Sequence, residues 1–173
     1  LSHYKLVIAP RLYCTDDATA ENLRSYVEAG GILCLTPRSG VVDEYNKIFA
    51  EPAPGPLCDM AGAEVHDYGA LNAPLTLNSA DGDLAGVTAA DRWADEIITT
   101  TAEVLATYRR GWLAGVPAIT INDYGKGKVV YVGTLLRGPS LDTFVTWLMG
   151  IAGVSPILAT PDHVRAYERR SDT

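Results

Sequence analysis

"YVEAGGILCLTPRSGVVDE", Tyr26 to Glu44, is the stretch on which the fold turns. Tyr26 and Val27 complete an apolar stripe that Ala20 and Leu23 begin at helical spacing, so a helix runs into Gly30-Gly31. A residue without Cβ suits the left-handed cap that stops a helix. Ile32 to Thr36 is then a short, continuous apolar run, the pattern of a strand buried on both faces. Upstream, Lys5 to Pro10 reads the same way, with the proline as its stop. Strand, helix, strand in this order predicts a parallel βαβ unit with a right-handed crossover. The second strand ends in a turn carrying Arg38, Ser39 and Gly40. Open α/β sheets place ligands and nucleophiles beyond such strand ends.

The remaining pattern extends outward from this unit. Asp17 or Thr19 is expected to cap the helix, since either side-chain oxygen can accept a free N–H of the first turn. Val41 to Phe49 reads as a short helix. From Glu51 to Asp91 four prolines and several glycines predict a long irregular region with one short strand, Pro74 to Asn78. Ala102 to Tyr108 is strand-like, and Pro117 to Asn122 with Lys128 to Thr134 alternate around "DYGKG" as an antiparallel hairpin. Ser140 is expected to cap a last helix with Leu141, Phe144, Val145 and Leu148 as its buried stripe. After Gly153 comes one apolar piece, "PILAT", and a polar tail.

Composition narrows the function classes. A net charge of −7 opposes a nucleic-acid partner, which needs a basic face. The basic residues are scattered apart from Arg109-Arg110 and Arg169-Arg170, and no apolar run approaches the ~20 residues that span a bilayer. Neither nucleic acid nor membrane is therefore expected as a partner. Cys14, Cys34 and Cys58 are odd in number and lack CxxC spacing, which points to a reducing cytoplasm rather than a disulfide framework or zinc site. The chain starts at Leu1, without Met, and enters an apolar run by Leu6, as expected of a piece of a longer protein.

The chemical candidates are weak as catalysts. A nucleophile elbow needs glycine two residues either side of its serine, and around Ser39 those positions are Pro37 and Val41. Cys34 lies mid-strand between leucines, where a thiol is a small buried hydrophobe. A Ser or Cys relay would have to use His66, because His3 and His163 sit near the chain ends. "YGKGKVVYVG" lacks the first glycine and the Ser/Thr of a phosphate loop and runs into a strand, and no GxGxxG is present, so no cofactor is expected. Asp43 and Glu44 diverge on a helix and read as charge at its start. Trp93 stands among charges in "DRWADE", which suits a surface packed on a partner.

"YKLVIAPRLY", "LRSYVEAGGILCLTPRSGVVDEYN", "GPL", "WADEI", "AEVLATY" and "AGVPAITINDYGKGKVVYVGT" occur in this order, from about Tyr4 to Pro156. They resemble the middle, trimerisation domain of glycoside hydrolase family 42 β-galactosidases. "PILATPDHVRAYERR" resembles the lead into the small C-terminal β domain of the same enzymes, dividing the chain into residues 1–155 and 156–173. The resemblance implies an α/β fold, flavodoxin-like and close to class I glutamine amidotransferases. That is a three-layer sandwich on a mostly parallel sheet with a C-terminal antiparallel hairpin. It also implies that the catalytic glutamates, and the zinc-binding cysteines of some members, lie in a preceding (β/α)8 barrel. No catalytic, cofactor or metal residue is thus assigned to this chain. The expected role is homotrimer assembly beside that barrel in an enzyme that hydrolyses terminal β-D-galactosides. Arg38, Asp43, Trp93 and Trp112 are candidate contact residues, from the Glu51 to Trp93 region, the Arg109 to Val116 loop and the Arg38 turn. A second expectation is an amidotransferase-like domain holding a sugar or other small ligand at the Thr36 to Asp43 turn.

Overall fold

A computed structural model describes residues 1–79 and 82–155, with positions 158, 160, 161, 164, 166 and 167 beyond them. Pro156, His163, Arg169 and Arg170 lie outside the described residues, as does most of the 156–173 segment. The opening unit forms as its sequence dictates. Strand β1 (Leu6–Ala9) pairs in parallel with β2 (Ile32–Leu35), and helix α1 (Asp17–Glu28) crosses between them. All four β2 residues are buried. The helix cap is Asp16, whose carboxylate accepts the Thr19 N–H at 2.6 Å, so neither Asp17 nor Thr19 is the cap as expected.

Beyond β2 the architecture departs from expectation. A short helix α2 (Cys58–Ala61), strands β3 (Ala63–Ala70), β4 (Leu75–Ser79), β5 (Ala89–Thr99), β6 (Glu103–Tyr108), β7 (Pro117–Tyr124), β8 (Gly127–Val132) and β9 (Thr134–Leu135), and helix α3 (Pro139–Ile151) follow. They form one nine-stranded sheet in the order β1-β2-β8-β7-β6-β4-β5-β3, with β9 on β5. Only the β1–β2 and β2–β8 pairs are parallel, and the rest are antiparallel. The expected flavodoxin-like, amidotransferase-like sandwich on a mostly parallel sheet is therefore incorrect. The physical reason is connectivity. After β3 each strand is joined to the next by fewer residues than the crossover that a parallel pair requires. The pairing also closes a ring, because β9 follows β8 after Gly133 alone and β5 pairs with both β4 and β9.

Two apolar clusters lie on opposite faces of the parallel strands. Leu33, Leu35, Val129 and Tyr131 pack with Leu23, Val27, Leu57 and Met60 beneath α1 and α2. Cys34, Val130 and Val132 face Leu77, Leu105, Ala118 and Ile119, with Phe144 and Leu148 of α3. Side chains of a strand point alternately to its two faces, which is why successive β8 residues divide between the clusters.

Other details are corrected too. Val41 to Phe49 is no helix. Val42 bridges Cys14 and Ile48, and the Asp43 carboxylate accepts the N–H groups of Tyr45 and Lys47 at 2.9 and 2.8 Å. An aspartate that bonds the backbone ahead of it favours a turn over a helix. In α3 the cap position is Gly138; Ser140 lies inside the first turn, where its hydroxyl accepts the Thr88 and Ala89 N–H groups. Leu141 is exposed rather than part of the buried stripe.

The Asp16 cap gives a direct test. Asp16→Ala is expected to cost about 1 kcal/mol by freeing the Thr19 N–H, read as a lower urea midpoint at unchanged slope. An unchanged midpoint would show that this bond contributes nothing.

Candidate functional site

The turn after β2 is positioned by its own backbone. Arg38 takes a left-handed conformation, φ 64°. The Ser39 side chain is fully buried and donates to the Thr36 carbonyl at 2.8 Å. Gly40, also left-handed, lies so close to the chain that an added Cβ would sit 2.0 Å from the Pro54 carbonyl oxygen. Only glycine fits there.

Arg38 is thereby turned into a set of rings. Its guanidinium carbon lies 5.0 Å from the centroid of Tyr13, 5.4 Å from that of Trp93 and 6.0 Å from that of Tyr68. Tyr68 and Trp93 stack on each other at 5.3 Å and 21°. Trp93 arrives through an irregularity in β5. The β5–β9 register shifts between Asp91 and Ala94, and Arg92 in that shift is left-handed, φ 58°. Such bulges re-aim the neighbouring side chain. Each cation–π contact is worth about 0.5–2 kcal/mol, more as water is excluded.

Behind the rings sits a buried carboxylate. Asp95 is 1% exposed, accepts Trp93 Nε1–H at 2.7 Å and the Tyr131 hydroxyl at 2.9 Å, and its N–H donates to Gly133. Burial pushes its pKa up to about 6, against the lowering effect of those two bonds and of the nearby Arg38 charge. Burial first, and then the Asp95 charge, holds the hydroxyls of Tyr108 and Tyr131 above the usual phenol range, so both remain donors.

The candidate contact residues divide between places. Arg38 and Trp93 meet in this cluster. Asp43 caps the turn that begins a few residues on, and its carbonyl accepts the Cys14 thiol. Trp112 is 62% exposed on the separate β6–β7 loop. Tyr13, Tyr68 and Asp95 were not signalled by sequence, for they stand on β3, β5 and a loop with no common spacing. The only signal was the run of charges around Trp93.

The reactive candidates are not assembled for catalysis. Burial pushes the Cys34 and Cys58 thiols up to about 12, which disfavours a nucleophilic thiolate. His66 bonds Glu64 on its own strand at 3.0 Å and shares no hydrogen bond with Ser39 or Cys34. Among the described residues no group of three His, Cys, Asp or Glu side chains is placed to hold a metal. At the Thr36 to Asp43 turn Ser39 is buried and its hydroxyl is engaged by the Thr36 carbonyl, while rings flank Arg38. A groove of about 890 Å³ lies elsewhere, along the free edge of β1 beside α1, lined by Tyr4, Val7, Leu23 and Tyr26. The expected small-ligand site at the turn is not supported.

The chain is thus a mixed α/β domain whose strand-end turn places an arginine among aromatic rings. The β-galactosidase trimerisation domain family matches residues 1–155, and the chain belongs to that family. It is 38% identical to β-galactosidase BgaB of a Geobacillus species, over 99% of this chain and 25% of that protein. It is 36% identical to β-galactosidase BgaH of Haloferax lucentense, over 98% and 25%. The solved β-galactosidase of Bacillus circulans sp. alkalophilus superposes with a TM-score of 0.88 at 33% identity, over 93% of this chain and 24% of that one. That of Halorubrum lacusprofundi gives 0.80 at 31%, over 89% and 23%. The chain thus spans about a quarter of the length of the curated relatives it matches.

Asp95 makes a pH prediction. Its folded pKa of about 6 stands above the ordinary aspartate value of 3.8, so its contribution to stability is fully present below about pH 4 and is lost as pH rises through 6. The difference corresponds to about 3 kcal/mol. Between pH 4 and 7 the stability of Asp95→Asn relative to wild type is expected to rise by up to that amount in urea titrations. Parallel pH profiles would mean that Asp95 titrates normally.

Proposed function

We propose that this chain is a non-catalytic assembly domain, residues 1–155, that builds a homotrimer within a longer β-galactosidase, with 156–173 leading into a following β domain. The family match over residues 1–155 carries the reading. In support, the chain corresponds to about a quarter of relatives named as β-galactosidases, and its reactive side chains are buried or unpaired with a base. The longer protein hydrolyses terminal β-D-galactosides with residues outside this segment, and its partners are other copies and its own catalytic barrel. Contact to a neighbouring copy runs through Arg38, Trp93, Asp43 and Trp112.

A cytoplasmic location accords with three free cysteines. Among the described residues no helix is long and apolar enough to cross a membrane.

The test is deletion. The intact protein that carries this chain is expected to sediment as a trimer and to cleave a chromogenic β-galactoside, whereas the isolated chain cleaves none. Removing residues 1–155 should leave smaller species. A trimer that survives the deletion, or turnover by the chain alone, would reject the reading.

A further inference from the structure

We infer that Arg38, clasped by Tyr13, Tyr68 and Trp93, is the anchor by which this domain grips a carboxylate side chain on a second copy. The inference rests on the assembly reading and names the contact within it.

Two strained backbone positions converge on this point. Arg38 and Arg92 are both left-handed without being glycine, φ 64° and 58°, a conformation that costs energy and persists where the surroundings impose it. The first turns the guanidinium toward the rings and the second brings Trp93 to meet it. Three rings then flank the cation without consuming its donors. Among the described residues the Arg38 guanidinium makes no ion pair and no hydrogen bond, although it carries five N–H groups. Asp95, the nearby counter-charge, has its oxygens engaged by Trp93 and Tyr131. Asp95 therefore attracts the cation without binding its fork.

The chemistry of the fork selects the occupant. A planar guanidinium flanked by rings matches the two oxygens of a carboxylate. A polyanion is disfavoured by the net charge of −7, whereas that same acidity supplies every copy of the chain with surface carboxylates, Glu44 on an exposed turn among them. Half-exposed Tyr68 and partly buried Trp93 around an arginine are the residue types on which interface energy concentrates. A ring of three copies needs two different surfaces on each copy. A basic, aromatic socket on one and an acidic segment on the next satisfy that need.

The test compares the intact protein with its Arg38→Gln and Arg38→Lys variants by sedimentation across dilution, with circular dichroism to confirm folding. Gln keeps much of the stem and loses charge and fork, and is expected to weaken trimer formation about tenfold or more. Lys keeps the charge alone and should fall between. Association that matches wild type in both variants overturns the anchor and leaves the assembly reading standing. A wild-type protein that is not a trimer removes that reading and the anchor with it. If Arg38→Gln does not fold, Tyr68→Ala replaces it. Loss of one exposed ring should weaken association about threefold, and no change would again overturn the anchor.

Discussion

Gly133 is where the two halves of the sheet are forced together. It lies between β8 and β9, its N–H donates to Ala118 of β7, and its carbonyl accepts both the Asp95 N–H at 2.7 Å and the Tyr108 hydroxyl at 2.9 Å. An added Cβ would stand 2.6 Å from Ile97 Cδ1 and 3.2 Å from Asp95 Cβ. A side chain here would force the end of Ile97 aside and crowd Asp95. With glycine, β8 pairs in parallel with β2 and antiparallel with β7, then turns into β9 to pair with β5. A single run from Gly127 to Leu135 thus joins the βαβ unit to the antiparallel ring.

That junction explains why a carboxylate is buried so deeply. Closing β5 onto β9 puts Asp95 inside, where an unpaired charge would be costly. Trp93 Nε1–H and the Tyr131 hydroxyl offset part of the cost by bonding its two oxygens. Bonding to Asp95 also orients the Trp93 indole, and the oriented indole forms one wall around Arg38. Packing at Gly133, the polar group it encloses and the surface arginine are therefore successive parts of one arrangement.

The βαβ unit was legible because its signals are local. Four consecutive apolar residues, a helical stripe and a glycine pair each act within a few positions. The β7–β8 hairpin was legible for the same reason. The region from Glu51 to Asp91 was misread as irregular because its strands hide their period. β3 slips register between Val65 and Asp67, β5 slips between Asp91 and Ala94, and Asp95 occupies an inward position where an apolar residue is expected. Bulges and buried charges are resolved by strands distant in sequence, as tertiary context overrides local pattern. The same distance hid the site. Arg38 and Trp93 were visible singly, but Tyr13, Tyr68 and Asp95 join them only through folding. The family resemblance identified the domain correctly, yet the parallel fold attached to it was wrong, since the strands from β3 to β8 run by short antiparallel connections.

The strand end after β2 retains the location that open α/β sheets use for ligands while its chemistry is reversed. A nucleophile elbow projects its serine hydroxyl outward and keeps its flanks small. Here Pro37 and Val41 occupy those flanks, and Ser39 turns its hydroxyl inward to the Thr36 carbonyl. The bond that would have been lost to catalysis instead holds the turn, so the residue presented outward is Arg38. A hydroxyl at this place attacks an electrophile, whereas a guanidinium is no nucleophile and its N–H fork suits a carboxylate. The turn is thereby suited to holding another molecule still, which is the chemistry an assembly domain requires.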